Sequence, residues 1–340
     1  MAASGRSGAS SRMLLVLAVL PLTPHRVTTI VRTQPLCATE LDDDADVPLA
    51  FQMLARRTMM GRFAPAKGKG LNTRDASSAA AIKELLTTKE PIDFNNDALP
   101  AMCLTSRLGE GRFGDVLLGE GDDGQRFAVK VALRATSRLS LEANVLRKMG
   151  GTDGFPQLMH YQPAADGLEM MVMELLGHSV QSEWEAAGRR FAASTALSVG
   201  RGAYDCLCRL HAAGHSHNDL KPGNLLRGSE PDRISLIDFG LATELGGEEI
   251  AQVGSTLYAS LTAHEATRPT TAADDFESLA YMLVHLVTGT LPWADATPAD
   301  VATTKRQALG GSESLLGCIL DAQVRIEIRR LLRHNYPHFG

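Results

Sequence analysis

Residues 215–226 read "HSHNDLKPGNLL". Three polar side chains stand here at fixed offsets: Asp219, Lys221 two positions on, and Asn224 five positions after the aspartate. Each suits one task in moving a phosphoryl group. A carboxylate such as Asp219 can accept the proton of an attacking hydroxyl. Lys221 can neutralise charge on the group in transit. Asn224 offers an amide oxygen to Mg2+, a hard cation that prefers oxygen ligands. Fourteen residues after Asn224, "RISLIDFG" (233–240) reads as a strand running into a glycine turn, and its Asp238 supplies a second oxygen ligand. Phosphoryl transfer depends on positioning and charge stabilisation more than on covalent chemistry, and these residue types provide both.

Upstream, "LGEGRFGDV" (108–116) sets Gly109, Gly111 and Gly114 ahead of Val116. Glycines let backbone N–H groups approach a polyphosphate where a side chain would collide. In a chain with 31 glycines the pattern alone could be a plain turn. It could also open a dinucleotide-binding unit, but that unit needs a strand before and a helix after. Both flanks here are strand-like, so a glycine hairpin lying over a nucleotide fits better. The next strand, "RFAVKVAL" (126–133), carries Lys130. An inward-facing ammonium needs a partner. Glu142 lies twelve residues on, in "SLEANVLRKMG" (140–150), an amphipathic helix ended by Gly150 and Gly151. A Lys130–Glu142 pair that holds ATP phosphates is expected; a solvent-facing strand-end lysine is the simpler alternative.

The same alternation of strand-like and helix-like runs continues. "LEMMVMEL" (168–175) is a strand-length apolar piece. "ASTALSVGRGAYDCLCRLHAAG" (193–214) has Ala196, Val199, Ala203, Leu207 and Leu210 at helical spacing. "DDFESLAYMLVHLVTG" (274–289) is apolar nearly all round and should be a buried helix. After Trp293, one or two further helices are expected, including "AQVRIEIRRLLRH" (322–334). With 340 residues, 44% hydrophobic and 21% charged, the chain can bury a large core. A formal charge of −5 excludes the basic footprint of a nucleic-acid-binding domain. Cys37, Cys103, Cys206, Cys208 and Cys318 are scattered, and Cys206 and Cys208 stand too close for usual zinc spacing. Reduced core thiols in a non-oxidising compartment are expected.

The N-terminal region differs. Residues 1–39 contain Arg6, Arg12, Arg26 and Arg32 and no acidic residue, a transit-peptide composition. The apolar run "MLLVLAVLPL" (13–22) is too short to span a membrane. "PLCATE" (35–40) resembles a plastid transit-peptide cleavage site, after which the charge switches to "ELDDDAD". Import into an organelle, plastid ahead of mitochondrion, is expected; an untargeted disordered extension is the alternative. Residues 40–100 read as a mostly disordered linker with one short helix around "SSAAAIKELL".

With these motifs in this order, the chain resembles the eukaryotic protein kinases over about residues 101–295, and within them the casein kinase 1 group. The narrower resemblance rests on "VMELLGHSV" (172–180), "GFPQL" (154–158), "YAS" (258–260) in place of an Ala-Pro-Glu, and "DDFESLAYML" followed by "GTLPW". It implies an α+β, two-lobed fold. Residues 101–176 would form a small N-lobe, an antiparallel sheet plus one helix, with the hinge. Residues 177–340 would form a larger, mainly helical C-lobe, shorter at its C-terminal end than usual for the family. ATP and Mg2+ would sit in the cleft. Leu108, Gly109, Gly111, Gly114 and Val116 would cover the nucleotide, Ala128 and Leu226 sandwich its ring, Met173 act as gatekeeper, and Glu174 and Leu176 present backbone groups to adenine. Lys130 and Glu142 would hold the phosphates, Asp219 and Lys221 act in catalysis, and Asn224 and Asp238 bind metal. The implied partners are protein substrates bearing Ser or Thr, with no nucleic acid and no stable membrane span; the oligomeric state stays open.

Four departures stand out. Asn218 occupies the place of an arginine that commonly receives an activation-loop phosphate, and an amide cannot form that bidentate pair. Ala272 and Ala273 stand where the group tends to carry arginines that help bind a pre-phosphorylated substrate. "GSTLYAS" (254–260) differs in the segment that meets substrate. The C-terminal part is short. Two other readings remain: a small-molecule phosphotransferase of the aminoglycoside or choline kinase type, and a non-catalytic scaffold with the same fold.

Overall fold

The computed structural model describes residues 76–94, 99–111, 113–132, 138–165, 168–228, 230, 233–249, 251, 254–311 and 315–339. The expected targeting peptide and most of the expected linker lie outside the described residues. A helix α1 (Ala76–Thr88) comes first. Five strands follow: β1 (Met102–Gly111), β2 (Gly114–Gly121), β3 (Arg126–Ala132), β4 (Leu158–Ala165) and β5 (Leu168–Glu174). Helix α2 (Leu139–Lys148) lies between β3 and β4. The sheet is antiparallel throughout, in the order β1-β2-β3-β5-β4.

Strand alternation sorts the side chains of this sheet into two faces. Val116 pairs with Lys130, Lys130 with Met171 and Ala128 with Met173, so these share one face. Leu117, Val129, Val131, Met170 and Val172 share the other and are all buried. That second face is covered by residues preceding the sheet. Ile82, Ile92, Phe94 and Leu99 are buried in one cluster with it. Ile92 and Met102 exchange backbone hydrogen bonds of 2.8 and 3.1 Å. Each of these apolar side chains contributes about 1.5–3 kcal/mol when buried. Residues 82–94 and Leu99 are therefore part of the lobe and not linker, a correction to the boundary at 101. Spacing could not reveal this, because the face they cover is formed by residues far along the chain.

The second lobe is helical. Helices α3 (Val180–Ala186), α4 (Ala193–Ala212), α5 (Leu261–Glu265), α6 (Ala272–Thr288), α7 (Val301–Leu309) and α8 (Ala322–Leu332) surround short two-residue or three-residue strands. These strands are β6 (His215–Ser216) paired with β9 (Thr243–Glu244), and β7 (Leu225–Arg227) paired with β8 (Ile234–Leu236). As expected from its composition, α6 is buried on every side from Asp274 to Val284. A capping box of Thr271 and Asp274 starts it, and Gly289, at φ 84°, ends it in the left-handed conformation that glycine adopts at no steric cost. The two β-ribbons matter most for the site, because each joins residues 215–227 to residues 234–244.

Candidate active site

Lys130 reaches two carboxylates at once. Its Nζ donates to Glu142 Oε2 at 2.6 Å and to Asp238 Oδ1 at 2.9 Å. Lys130 and Glu142 are buried, at 5% and 2% exposure, so the solvent-facing alternative for the lysine is excluded. Burial alone would lower the lysine's pKa, but the two carboxylates outweigh it and hold the ammonium charged. Burial likewise works to raise the Asp238 carboxyl, and Lys130 more than offsets it, so Asp238 stays ionised. The expected phosphate-holding pair thus includes a third member, contributed from more than a hundred residues away. Asp238 also has φ 67°, a conformation uncommon outside glycine.

The glycine-rich segment is a hairpin, with Gly111 opposite Gly114. Gly114 needs to be glycine: at φ 145°, a Cβ would fall 2.5 Å from the Val131 carbonyl oxygen on the neighbouring strand. Beside the hairpin tip, the Phe113 ring approaches Gly240 so closely that a Cβ there would sit 2.6 Å from it. The hairpin therefore closes down over the Asp238–Gly240 turn. Val116, Ala128, Leu176 and Leu226 are half-buried, Met173 is 9% exposed, and Leu108 is 47% exposed. Ala128 and Met173 are register partners, which brings the expected ring contact and gatekeeper side by side. The Glu174 N–H is taken by the Gln157 carbonyl at 2.9 Å, so of its two backbone groups only the carbonyl could serve adenine.

Asp219, Lys221 and Asn224 converge as their spacing suggests. Asp219 Oδ2 accepts from Lys221 Nζ at 2.6 Å, and the Asn224 amide nitrogen donates to the Asp219 carbonyl at 2.9 Å. That bond identifies which end of the Asn224 amide is nitrogen and leaves the oxygen to serve a cation. The Ile237 N–H donates to the Asn224 carbonyl at 3.0 Å, which ties this loop to the residue before Asp238. Among the described residues no three His, Cys, Asp or Glu side chains gather as a metal cage. The donor set does fit Mg2+, which characteristically takes one or two protein oxygens and completes its shell with water and nucleotide phosphates. Asn224 and Asp238 would be those two.

Two contributors escaped sequence reasoning, and a third was read only in part. Asp275, fully buried near the start of α6, accepts the His217 N–H at 2.8 Å and the Asn218 N–H at 2.9 Å, and meets His211 Nε2 at 2.8 Å. Burial works to raise its carboxyl, yet His211 and these bonds hold it below the usual carboxylate range. It anchors the loop that carries Asp219. Ser255 donates its backbone N–H to Asp219 Oδ1 at 2.6 Å. Gly254 allows that approach, since a Cβ would lie 2.6 Å from both the Asn218 carbonyl and Asp219 Oδ1. Third, Asn218 itself is structural. At φ 65° it occupies a conformation that asparagine tolerates. Its amide nitrogen donates to the Leu241 carbonyl at 3.0 Å, Thr243 Oγ1 at 3.0 Å and Ser216 Oγ at 3.2 Å. Position 218 thus bonds directly to the start of the segment that leads to Ser255.

These features describe a nucleotide cleft between a glycine hairpin and a loop bearing a carboxylate, a lysine and an amide. Residues 103–328, about two thirds of the chain, match the family model described as protein kinase domain, and the chain belongs to that family. Casein kinase 1-like protein HD16 of Oryza sativa subsp. japonica is 31% identical over 243 residues, 63% of this chain and 34% of that one. A probable casein kinase I homolog of Encephalitozoon cuniculi (strain GB-M1) is 30% identical over 207 residues, 56% of this chain and 67% of that one. Within the protein kinases the chain is therefore casein kinase 1-like, and it spans about a third of the length of the rice relative. The family implies use of ATP and a divalent metal.

Proposed function

We propose that this chain is an active serine/threonine protein kinase of the casein kinase 1 type, transferring the γ-phosphoryl group of ATP directly to Ser or Thr hydroxyls of proteins. The observation that carries this reading is the convergence of two charged sets. Lys130 joins Glu142 to Asp238 on one side, and Asp219, Lys221 and Asn224 form a bonded unit on the other, linked through Ile237. Burying Lys130 with two carboxylates is costly, and a role in orienting phosphates accounts for its retention.

In this reading Lys130, held by Glu142, orients the nucleotide's phosphates. Asn224 and Asp238 would hold Mg2+, which would neutralise charge on those phosphates. Asp219 accepts the proton of the attacking hydroxyl. The Ser255 N–H on Oδ1, and Lys221 with the more distant Asn224 amide on Oδ2, aim the carboxylate; the remaining lone pair of Oδ1 can take the proton. Lys221 then balances charge on the transferring group. The hydroxyl attacks in line and no phospho-enzyme forms. The lysine two residues after the aspartate and the "YAS" segment favour protein over small-alcohol substrates.

The test is transfer of labelled phosphate from ATP and Mg2+ to casein, with Asp219→Asn as control. Label above that control supports the proposal. ATP binding without such label, or label on a small alcohol alone, refutes it. We also propose plastid import of the native protein, with about the first 37 residues removed; N-terminal sequencing of native material that begins at Met1 or Ala2 would contradict this.

A further inference from the structure

Lys305, in α7, has no exposed surface. Among the described residues no carboxylate pairs with it. Its Nζ instead donates to the Ala259 carbonyl at 2.5 Å and the Thr256 carbonyl at 2.9 Å, and meets His264 Nε2 at 3.1 Å. The ring faces of Tyr281 and Trp293 lie 5.0 and 5.1 Å away. The two carbonyls take two N–H bonds of the amine; His264 Nε2, which also lies 3.1 Å from the Thr256 carbonyl, either accepts the third or donates to Thr256 according to its tautomer, and the two π faces add attraction for a cation. Burial pushes this lysine down to about 7, with Glu277 pulling the other way.

Glu277, on α6 and also without exposed surface, completes the arrangement. Its Oε1 accepts the Leu261 N–H at 2.7 Å and the Tyr281 hydroxyl at 2.6 Å; its Oε2 accepts from Asn335 at 2.8 Å and from the Tyr336 hydroxyl at 3.1 Å. Residues 256–261 are thus gripped at two carbonyls by one buried ionisable side chain and at an amide by another. The residue just before this stretch is Ser255, whose N–H lies on Asp219.

We infer that Lys305 is a positioning residue for phosphoryl transfer: together with Glu277 it holds residues 256–261 in place, and so sets the Ser255 N–H against Asp219 and shapes the surface that receives the substrate hydroxyl. The grip itself stands on geometry. Its consequence for catalysis rests on the protein kinase activity proposed above.

Lys305→Met keeps the aliphatic stem and removes the amine. Amide hydrogen exchange tests the grip without requiring activity. Loss of these bonds to buried carbonyls should raise exchange in a peptide covering 254–261 by about tenfold, while α6 and α4 remain protected. Unchanged exchange at 254–261, or an equal rise across the whole lobe, overturns the inference. Lys305→Gln retains a donor at the end of a shorter stem and should give a smaller rise in the same peptide; if Lys305→Met does not fold, absence of that rise overturns it. Kinetics then separate the two proposals. In an active wild type, Lys305→Met should raise the KM for casein about tenfold, by the same reasoning, and leave the KM for ATP within about twofold. A casein KM that stays put, or parallel loss of both, refutes the positioning role. A wild type that transfers nothing, with the exchange change present, refutes the activity and leaves the grip standing.

Discussion

Replacing Asn218 by aspartate tests how the catalytic loop is tied to the segment beyond Asp238. The substitution exchanges one amide for one carboxylate at nearly constant volume. At 8% exposure, Asn218 donates to three oxygens. The hydroxyls of Ser216 and Thr243 can rotate and donate to a carboxylate, so those two contacts are recoverable. The Leu241 carbonyl cannot. It would face an anionic oxygen at about the present 3.0 Å. A buried carbonyl left without its donor costs about 1–3 kcal/mol, and an uncompensated buried carboxylate adds several more unless it takes up a proton. Destabilisation of roughly 3–5 kcal/mol near neutral pH is expected. Once protonated, the introduced carboxyl carries an O–H that can donate to Leu241 again, so its folded pKa lies above the unfolded value of about 3.9. The sign follows: the penalty is greatest at high pH and shrinks as pH falls through the folded pKa. Urea denaturation of wild type and Asn218→Asp at several pH values between 5 and 8 measures the gap. A gap that does not depend on pH, that widens on acidification, or that is absent at neutral pH would refute the bonding assigned to Asn218.

Three further outcomes follow from the same contacts. Lys130→Met leaves Glu142 and Asp238 facing each other in a buried site without a cation; nucleotide binding by titration should be lost, and stability should recover partly on acidification as one carboxylate protonates. Phe94→Ala opens a cavity on the covered face of the sheet and should cost about 3–5 kcal/mol in chemical denaturation, whereas a linker residue would change nothing. Because Asn218 bonds directly to Leu241 and Thr243, phosphatase treatment should leave the rate of casein phosphorylation unchanged; strong activation on phosphorylating residues 241–258 would contradict this.

Much of the candidate site is legible in the chain itself. Asp219, Lys221 and Asn224 lie within six residues, so the loop that carries them also sets their mutual distances. Lys130 and Glu142 are twelve residues apart, on a strand and the helix that follows it. Asn218 was legible in part. Sequence reasoning shows that it cannot bind a phosphate as an arginine does; only the fold shows that it bonds to the segment such a phosphate would otherwise organise.

Other features depend on separations no spacing rule reaches. Asp275 meets His217 across 58 residues, Asp238 meets Lys130 across 108, and Lys305 meets Ala259 across 46. Residues 82–94 and Leu99 read as linker because a few scattered apolar side chains show no period; the sheet face that buries them exists only after five strands have paired. By itself the sequence determined which chemical groups are present and which of them local geometry keeps together. The tertiary structure decided which buried charges face one another and which segments they hold, because those contacts arise only when distant elements close around a common core.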